Sequence, residues 1–338
     1  MGGDLLHTRI LLPSQIEIAA DLLRQGECVA FPTETVYGLG ANALDEKAVA
    51  KIFLAKGRPA DNPLIIHCHS RAQLGDLVVG WPRQAEILMD TFWPGPLTLV
   101  LYKKPCVPSI VTGGLATVAL RFPDHPVALS LLKAADLPIA APSANVSGKP
   151  SPTRAEHVME DMFGKIAAII DGGPTGGGVE STVLDCTVSP FRILRPGGIT
   201  LEQIRALVPV ELDSGENADS PRSPGMKYKH YSPDAQVVLV TGGKIEEEIQ
   251  VQINHFQARG MKVAVMAFNE SPKYSGAYLL DMGSKSDVSV AAARIYHLLR
   301  QADALGVDLI LIEGLPDADL GRAIMNRLRK AAGKVVQT

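Results

Sequence analysis

Apolar residues recur along this chain in two patterns, as short continuous runs and as longer stretches with helical spacing. The runs at 27–31, 64–69 and 97–102 are bounded by proline, glycine or polar residues, which predicts buried β-strands. Between such runs, apolar positions three and four residues apart predict amphipathic helices, for example over 14–26 and 45–56. Strands that alternate with helices predict an α/β protein built on a layered sheet.

The pattern is interrupted once, between residues 211 and 234. This segment is polar, contains prolines at 221, 224 and 233, and has no extended apolar run, which is typical of a linker. After it, apolar runs and helical stretches alternate again and predict a small parallel α/β domain. The predicted organisation is a first domain over 1–210, a linker over 211–234 and a C-terminal domain over 235–338.

Composition narrows the function more than the fold. The 338 residues have a formal net charge of −3, which gives no general case for binding nucleic acid or a membrane, so any cationic site must be local. The four cysteines are far apart and form no CxxC pair, so neither a zinc site nor a disulfide framework is predicted. The start of the chain lacks a signal pattern, and reduced thiols favour a cytoplasmic protein.

The stretch 32–63 carries the most distinctive chemistry: PTETVYGLG, a helical spacer, and KGRPADNP. The first of these segments is rich in hydroxyl groups and predicts a polar turn that ends in Gly38 and Gly40. Lys56 and Arg58 flank Gly57 in a segment that is stiffened by two prolines. Two cations on such a segment can converge on one anion, and arginine can bind phosphate or carboxylate through two parallel hydrogen bonds. A solvated basic loop is the alternative, and a motif this short leaves both open.

A predicted strand over 117–122 places Thr117, Ala119 and Arg121 on one face, because side chains alternate along a strand. An enclosed arginine is either paired within the protein or binds an anion. His67, in an earlier predicted strand, could face the same pocket or could be a hydrogen-bonded histidine of the sheet. These residues alone leave both questions open.

Loops of small polar residues provide further candidates. Ser143 and Asn145 alternate after a short strand, where small side chains let a ligand approach the backbone; a turn without a ligand is the alternative. The glycine-rich segment 172–178 lacks the Lys-Ser/Thr ending of a P-loop and is interpreted as a flexible turn. Arg195 is predicted at a strand end beside another tight turn.

In combination, these motifs resemble the threonylcarbamoyl-AMP synthase family in its long form, in which a YrdC-like catalytic domain precedes a second domain. The resemblance spans the whole chain and depends on several segments in a fixed order. They are PTETVYGLG (32–40), KGRP with the downstream NPL (56–64), the alternating Lys-x-Arg and Ser-x-Asn pairs, APSANVSG (141–148), ESTV (180–183), LRPG (194–197) and SPGMKYKHYSP (223–233). One variation is Lys229, where many relatives have a second histidine.

The resemblance implies a YrdC-like twisted open α/β sheet with a concave active-site face, plus a smaller Rossmann-like α/β C-terminal domain. It implies a nucleotidyltransferase that converts L-threonine, bicarbonate and ATP into threonylcarbamoyl-AMP and pyrophosphate, for N6-threonylcarbamoylation of adenosine 37 in tRNA. A downstream threonylcarbamoyl transferase is an implied partner, and a weak contact with tRNA is a further expectation. No tightly bound cofactor is expected, since ATP acts as a substrate accompanied by Mg²⁺, and no metal ligands are assigned.

The same resemblance implies roles for individual residues. The implied catalytic residues are Lys56 and Arg58. The implied threonine site consists of Thr35, His67, Arg121, Ala141 and Ser181, with Arg121 holding the carboxylate. The implied ATP site consists of Arg58, Asn62, Thr117, Ser143, Asn145, Ser151, Arg195 and Tyr231, with Tyr231 closing over the nucleotide from the linker.

Two other functions are considered. A module that binds double-stranded RNA or nucleotides without catalysis suits a concave cationic face, but the net negative charge and the absence of a basic stripe disfavour it. Carbamoyl transfer onto a protein, as in hydrogenase-maturation relatives, is disfavoured because this chain lacks their cysteine pairs and extra length.

Overall fold

The computed structural model describes residues 7–213 and 230–338, which form two compact units. The first unit holds nearly all of 7–213, and the second holds 230–338 together with the short segments 148–150 and 177–179. The predicted domain boundaries stay a prediction, and most of the predicted linker lies outside the described residues. Its first two described residues belong to a strand, Val210–Leu212, rather than to an irregular connection.

Helices and strands alternate through the first unit. Its described strands are β1 (Arg9–Leu11), β2 (Val29–Pro32), β3 (Tyr37–Asn42), β4 (Ile65–His67), β5 (Leu97–Tyr102), β6 (Thr117–Arg121), β7 (Ile139–Ala140), β8 (Ala168–Ile170), β9 (Thr182–Asp185), β10 (Phe191–Arg195) and β11 (Val210–Leu212). Its described helices are α1 (Ile16–Arg24), α2 (Glu46–Lys56), α3 (Arg71–Leu77), α4 (Arg83–Phe92), α5 (Ser109–Thr112), α6 (Pro126–Ala135), α7 (Ala155–Met162) and α8 (Leu201–Arg205).

Within residues 7–213 the strands form one mixed sheet in the order β1-β8-β2-β3-β7-β4-β6-β5-β9-β10-β11. In its middle, β4 pairs parallel with β6, and β6 pairs antiparallel with β5. This pairing sets His67 of β4 beside Arg121 of β6, and Arg121 beside Thr98 of β5. Residues far apart in sequence are therefore neighbours at the centre of the sheet.

The two faces of β6 differ in their surroundings. Val118 and Leu120 pack into the main hydrophobic core, whereas Ala119 belongs to a smaller apolar cluster. Thr117 and Arg121 share the face of Ala119, because residues two apart in a strand point the same way. The alternation predicted for this strand is confirmed. The face that carries Arg121 is called the site face below.

The segment PTETVYGLG departs most from its sequence prediction, which was a polar turn. The structure has a short turn followed by β3, a buried strand that pairs antiparallel with β2. Glycine is rare in strands, so the two glycines of β3 prevent the hydrophobic pattern from predicting this strand. Gly40 is required here because a Cβ atom would lie 2.8 Å from Phe31 Cε1 and 2.8 Å from Ile139 Cγ2.

The second unit is a parallel α/β sheet, as predicted. Its described elements are β12 (Gln236–Thr241), α9 (Ile245–Gln257), β13 (Val263–Ala267), β14 (Tyr278–Asp281), α10 (Val288–Ala304), β15 (Leu309–Glu313), α11 (Asp319–Ala331) and β16 (Lys334–Gln337), in the sheet order β14-β13-β15-β12-β16. Strands β14 and β16 were not predicted, because these edge strands are mostly exposed and their apolar runs are only three and two residues long. Over both described ranges, no helix has the length and apolar content needed to cross a membrane.

Candidate active site

Arg121 places a buried positive charge on the site face. It ends β6 and is only 4% exposed. Its Nε donates to the Gly95 carbonyl at 3.3 Å, and its Nη1 donates to the Thr35 hydroxyl at 3.0 Å. Its Nη2 forms an ion pair with Glu34 Oε1 at 2.6 Å. One carboxylate therefore compensates the charge of Arg121.

The turn over 33–36 holds Glu34 and Thr35 against this guanidinium. The Thr33 hydroxyl accepts hydrogen bonds from the backbone N–H groups of Thr35 (3.2 Å) and Val36 (3.3 Å) and donates to the Val36 carbonyl (2.7 Å). A hydroxyl that bonds its own turn in this way fixes the local backbone. The hydroxyl-rich stretch of the sequence is thus a turn that orients two side chains towards Arg121.

His67 is the neutral neighbour of Arg121. Burial, and after it the positive charge of Arg121, lowers the pKa of the imidazole to about 3. The ring is therefore uncharged near neutral pH and offers one donor and one acceptor. Its Nδ1 atom is buried and has no hydrogen-bond partner within the described residues. An uncharged ring with an unused nitrogen suits a ligand hydroxyl better than a second anion.

Ser181 and Arg195 continue the site beyond β5. The Ser181 hydroxyl lies 2.7 Å from the Thr98 hydroxyl, and the Ser181 carbonyl accepts from Arg195 Nη2 at 3.0 Å. All three residues are buried. Thr98 is next to Arg121 in the sheet, so Ser181, predicted to bind threonine, and Arg195, predicted to bind ATP, extend from the same centre.

Lys56 connects two loops, the one that carries the Lys-x-Arg pair (56–58) and the one that carries the Ser-x-Asn pair (143–145), which are called the two motif loops below. Helix α2 ends at this residue because Gly57 adopts a left-handed φ of +59°. Lys56 Nζ donates to the backbone carbonyls of Ser143 (2.5 Å) and Asn145 (2.6 Å). Burial, followed by the charge of Arg58, lowers the pKa of Lys56 well below its usual range. The Lys-x-Arg and Ser-x-Asn pairs are therefore connected directly, through the Lys56 side chain.

The other residues predicted for the site lie in the first unit around this arrangement. Arg58 is half-buried, and its Nη2 donates to the Pro63 carbonyl at 3.2 Å. Asn62 is buried, and its side-chain oxygen has no hydrogen-bond partner in the described part of the chain. The Ser151 hydroxyl donates to a Glu180 carboxylate oxygen at 2.7 Å.

Ala141 and Thr117 border the same strands. The backbone N–H of Ala141 donates to the Ile65 carbonyl of β4 at 2.9 Å, so this buried alanine directly follows β7 beside the His67 strand. Thr117 begins β6 on the site face and is half-buried. Both positions agree with a site built around the centre of the sheet.

Tyr231 belongs to the second unit. It is buried there, its ring stacks on Tyr296 with centroids 5.2 Å apart, and Arg327 lies 5.6 Å from the ring centre. Its backbone has a left-handed φ of +64°. The predicted closure of Tyr231 over a nucleotide stays a prediction, and the neighbouring Lys227 and Lys229 lie outside the described residues.

Direct contacts join most of the predicted residues of the first unit into groups. The groups are Thr35 with Arg121 and its neighbour His67; Ser181 with Arg195; Lys56 with Ser143 and Asn145; and Arg58 with Asn62, whose carbonyl accepts from Arg58. The sequence analysis gave no role to Glu34, Thr98 and Glu180. Thr98 has a visible signal, since it is the polar residue of an otherwise apolar strand.

The described residues do not fit a dedicated metal site. Across 7–213 and 230–338, no group of three or more histidine, cysteine, aspartate or glutamate side chains is placed to hold a metal ion. A Mg²⁺ ion that accompanies ATP binds largely through the phosphates and water.

Two family models match the chain, one for each part. Residues 21–197 match the Sua5, YciO and YrdC model described as "Telomere recombination", and residues 199–333 match the model described as "Threonylcarbamoyl-AMP synthase, C-terminal domain". The protein therefore belongs to the Sua5, YciO and YrdC class in its two-domain form. This class assignment agrees with an open mixed α/β sheet that carries buried cations on one face and is followed by a parallel α/β unit.

Similar proteins identify the family within this class. The threonylcarbamoyl-AMP synthase of Bacillus subtilis is 53% identical over 94% of this chain and 93% of its own length, and that of Pyrococcus abyssi is 52% identical over 94% of each. The crystal structure of P. abyssi Sua5 complexed with L-threonine has a TM-score of 0.94 at 50% identity, covering 98% of this chain and 100% of that one. The chain belongs to the threonylcarbamoyl-AMP synthase family. The predicted family and fold class are confirmed.

Proposed function

We propose that the chain forms threonylcarbamoyl-AMP from L-threonine, bicarbonate and ATP and releases pyrophosphate. Its family makes it an enzyme of the nucleotidyltransferase type. The single observation that carries the proposal here is the buried Arg121, held by Thr35 and Glu34 beside the uncharged His67. A cation next to an uncharged hydrogen-bonding ring matches the carboxylate and the hydroxyl of one small amino acid.

Threonine binds through Arg121 and His67 in this proposal. Two parallel hydrogen bonds from the guanidinium hold the carboxylate, and the unused Nδ1 of His67 bonds the side-chain hydroxyl. A site built to bond a hydroxyl discriminates against ligands that lack it. We expect serine to be a poorer substrate than threonine and valine to be poorer still. Equal turnover of valine and threonine would contradict this assignment.

The reaction needs positioning and positive charge more than a protein nucleophile. Bicarbonate loses hydroxide to give carbon dioxide, and the uncharged threonine amine attacks its carbon. The proton lost from the nitrogen combines with that hydroxide as water, which leaves a carbamate. A carbamate oxygen then attacks the α-phosphorus of ATP, and the bond to the β-phosphate breaks as pyrophosphate leaves. Negative charge accumulates in both steps, and Arg58 and Arg195 are the cations that the proposal assigns to the nucleotide. Charge stabilisation and alignment of this kind supply large rate enhancements.

The decisive assay incubates the purified protein with ATP, bicarbonate and labelled threonine. We expect a labelled adenylate and pyrophosphate, both dependent on threonine. We expect Arg58→Ala to lower the rate about 10²–10³-fold, the usual cost of one charge-stabilising donor. Pyrophosphate release that does not depend on threonine would refute the proposed reaction. A folded Arg58→Ala protein that keeps more than half of the wild-type activity would refute the role of Arg58.

The wider setting is also proposed. The adenylate would pass to a transferase that modifies tRNA, in the cytoplasm. A pull-down of tRNA by the purified chain, compared with a non-binding protein of similar charge, tests the expected weak contact. Cell fractionation tests the location.

A further inference from the structure

Glu34 pairs with Arg121 in the site, yet the proposed reaction gives its carboxylate no contact with a substrate. Its side chain is 19% exposed, but both carboxylate oxygens are shielded from solvent. Oε1 lies 2.6 Å from Arg121 Nη2, and neither oxygen has a hydrogen-bond partner among the described residues. A buried carboxylate is costly unless its acceptors are used. The site therefore holds a negative charge with spare acceptors.

Arg121, the partner of Glu34, has N–H groups that are still available as donors. A guanidinium carries five N–H groups. One donates to Gly95, one donates to Thr35, and one faces Glu34. Two N–H groups are left, which is the number that a carboxylate takes in a bidentate contact. The ion pair thus keeps the capacity for one additional anion and one additional cation.

From this we infer that Glu34 and Arg121 form a clamp for a zwitterion, in which Arg121 holds the α-carboxylate and Glu34 receives the α-ammonium group. An α-amino acid carries its two charges on adjacent atoms of one short skeleton, and the ion pair presents the complementary charges side by side. Glu34 is then a specificity residue that selects amino acids over hydroxy acids. This inference depends on the proposed function, which supplies threonine as the ligand.

The clamp also has a consequence after the first chemical step. The bound ammonium group first loses one proton to water and becomes a nucleophilic amine, and a second proton leaves the nitrogen as the carbamate forms. Carboxylation therefore replaces a cation by an anion at the same nitrogen. Repulsion from Glu34 then directs the new carbamate away from this residue, while Arg121 still holds the α-carboxylate. The group that recognises the amine therefore does not retain the product of its carboxylation.

The test combines a protein variant with a ligand variant. Binding of L-threonine and of (R)-3-hydroxybutanoate, which lacks only the amino group, is measured by calorimetry for the wild type and for Glu34→Gln. Charged hydrogen bonds in buried sites are strong enough that we expect Glu34→Gln to weaken threonine binding about tenfold or more. The hydroxy acid should change by less than about twofold, because it has no ammonium group to lose.

Matched variants separate recognition from folding. Glu27→Gln is the control, because Glu27 is a partly exposed carboxylate paired with Lys51 at 2.8 Å, and it should leave both affinities unchanged. Glu34→Asp keeps the charge and should retain more preference for threonine over the hydroxy acid than Glu34→Gln does. It also serves as the test variant if Glu34→Gln fails to fold.

The outcomes are distinct. Equal weakening of both ligands would show that Glu34 only orients Arg121, and tighter threonine binding by Glu34→Gln would show that it competes for Arg121; either result overturns the clamp. A wild-type protein that does not bind threonine at all would instead overturn the proposed function.

Discussion

Replacement of Lys56 by methionine tests whether the two motif loops depend on one ammonium group. The change keeps most of the side-chain volume but removes the donor that lies 2.5 Å from the Ser143 carbonyl and 2.6 Å from the Asn145 carbonyl. A buried acceptor without a partner costs about 1–3 kcal/mol, so two cost about 2–6 kcal/mol if the loop keeps its place. Burial already disfavours the charged ammonium group, so its removal also relieves a desolvation cost. We therefore expect the free energy of unfolding to fall by an amount near the lower end of this range.

The loop can also move and hydrate its carbonyls, which converts the loss of stability into a loss of activity. A displacement of about 1 Å in a substrate-positioning group costs about 10²-fold in rate. The free energy of unfolding is measured by urea titration with tryptophan fluorescence, since both tryptophans lie in the first unit, and adenylate formation is measured in parallel.

Lys51→Met is the matched control for Lys56→Met. Lys51 lies in the same helix, but its ion pair with Glu27 is partly exposed and contributes about 0–1 kcal/mol. We expect this variant to retain wild-type activity and nearly wild-type stability. If Lys56→Met is also unchanged in both measurements, the ammonium does not hold the loops together and our reasoning is wrong.

Two more predictions use the same fluorescence assay. Gly40→Ala should lower the free energy of unfolding by about 1–3 kcal/mol, because the added methyl group meets Phe31 and Ile139 in a packed core. Gly75→Ala, in helix α3 with no atom within 4 Å of the added methyl group, should raise it by up to about 1 kcal/mol. An unchanged stability of Gly40→Ala would contradict the close packing. His67 has a native pKa of about 3 and an unfolded pKa of about 6.5, so the unfolded chain binds the proton first and stability falls as the pH drops through this window. Between about pH 7.5 and about pH 5.0 this group alone lowers the stability by about 2 kcal/mol. The loss should be absent in His67→Gln, and an identical pH dependence in both proteins would argue against a neutral buried imidazole.

The sequence predicted which face of a strand a residue occupies better than it predicted which residues of other strands lie beside it. Alternation along β6 was sufficient to place Thr117 and Arg121 together, because the period of a strand is a local property. The contact of Arg121 with Thr35, and its position between His67 and Thr98, depend on strand order and register. Several registers satisfy the same local pattern, so these contacts could be predicted only through the family resemblance.

The missed elements have a physical explanation as well. Strand β3 contains Gly38 and Gly40, which pack closely against other residues but carry no side chain that a hydrophobic pattern could register. The family resemblance assigned a role to Tyr231, yet its stacking partner Tyr296 comes from a helix 65 residues later and has no local signal. Glu34 was visible in its turn, but its value as a charge partner appears only once Arg121 is beside it.

The interleaving of core and site residues along β6 makes this strand unusually sensitive to changes in length. Leu120 fills the core and Arg121 lies on the site face, and the two are consecutive. Deleting one residue within 117–121 would exchange the faces of every position on one side of the deletion, so an arginine would enter the hydrophobic layer while a leucine entered the site. Substitutions can alter one role at a time, whereas a single-codon deletion would abolish both. Length variation among functional variants of this chain should therefore be confined to the connecting loops and be absent from the central strands.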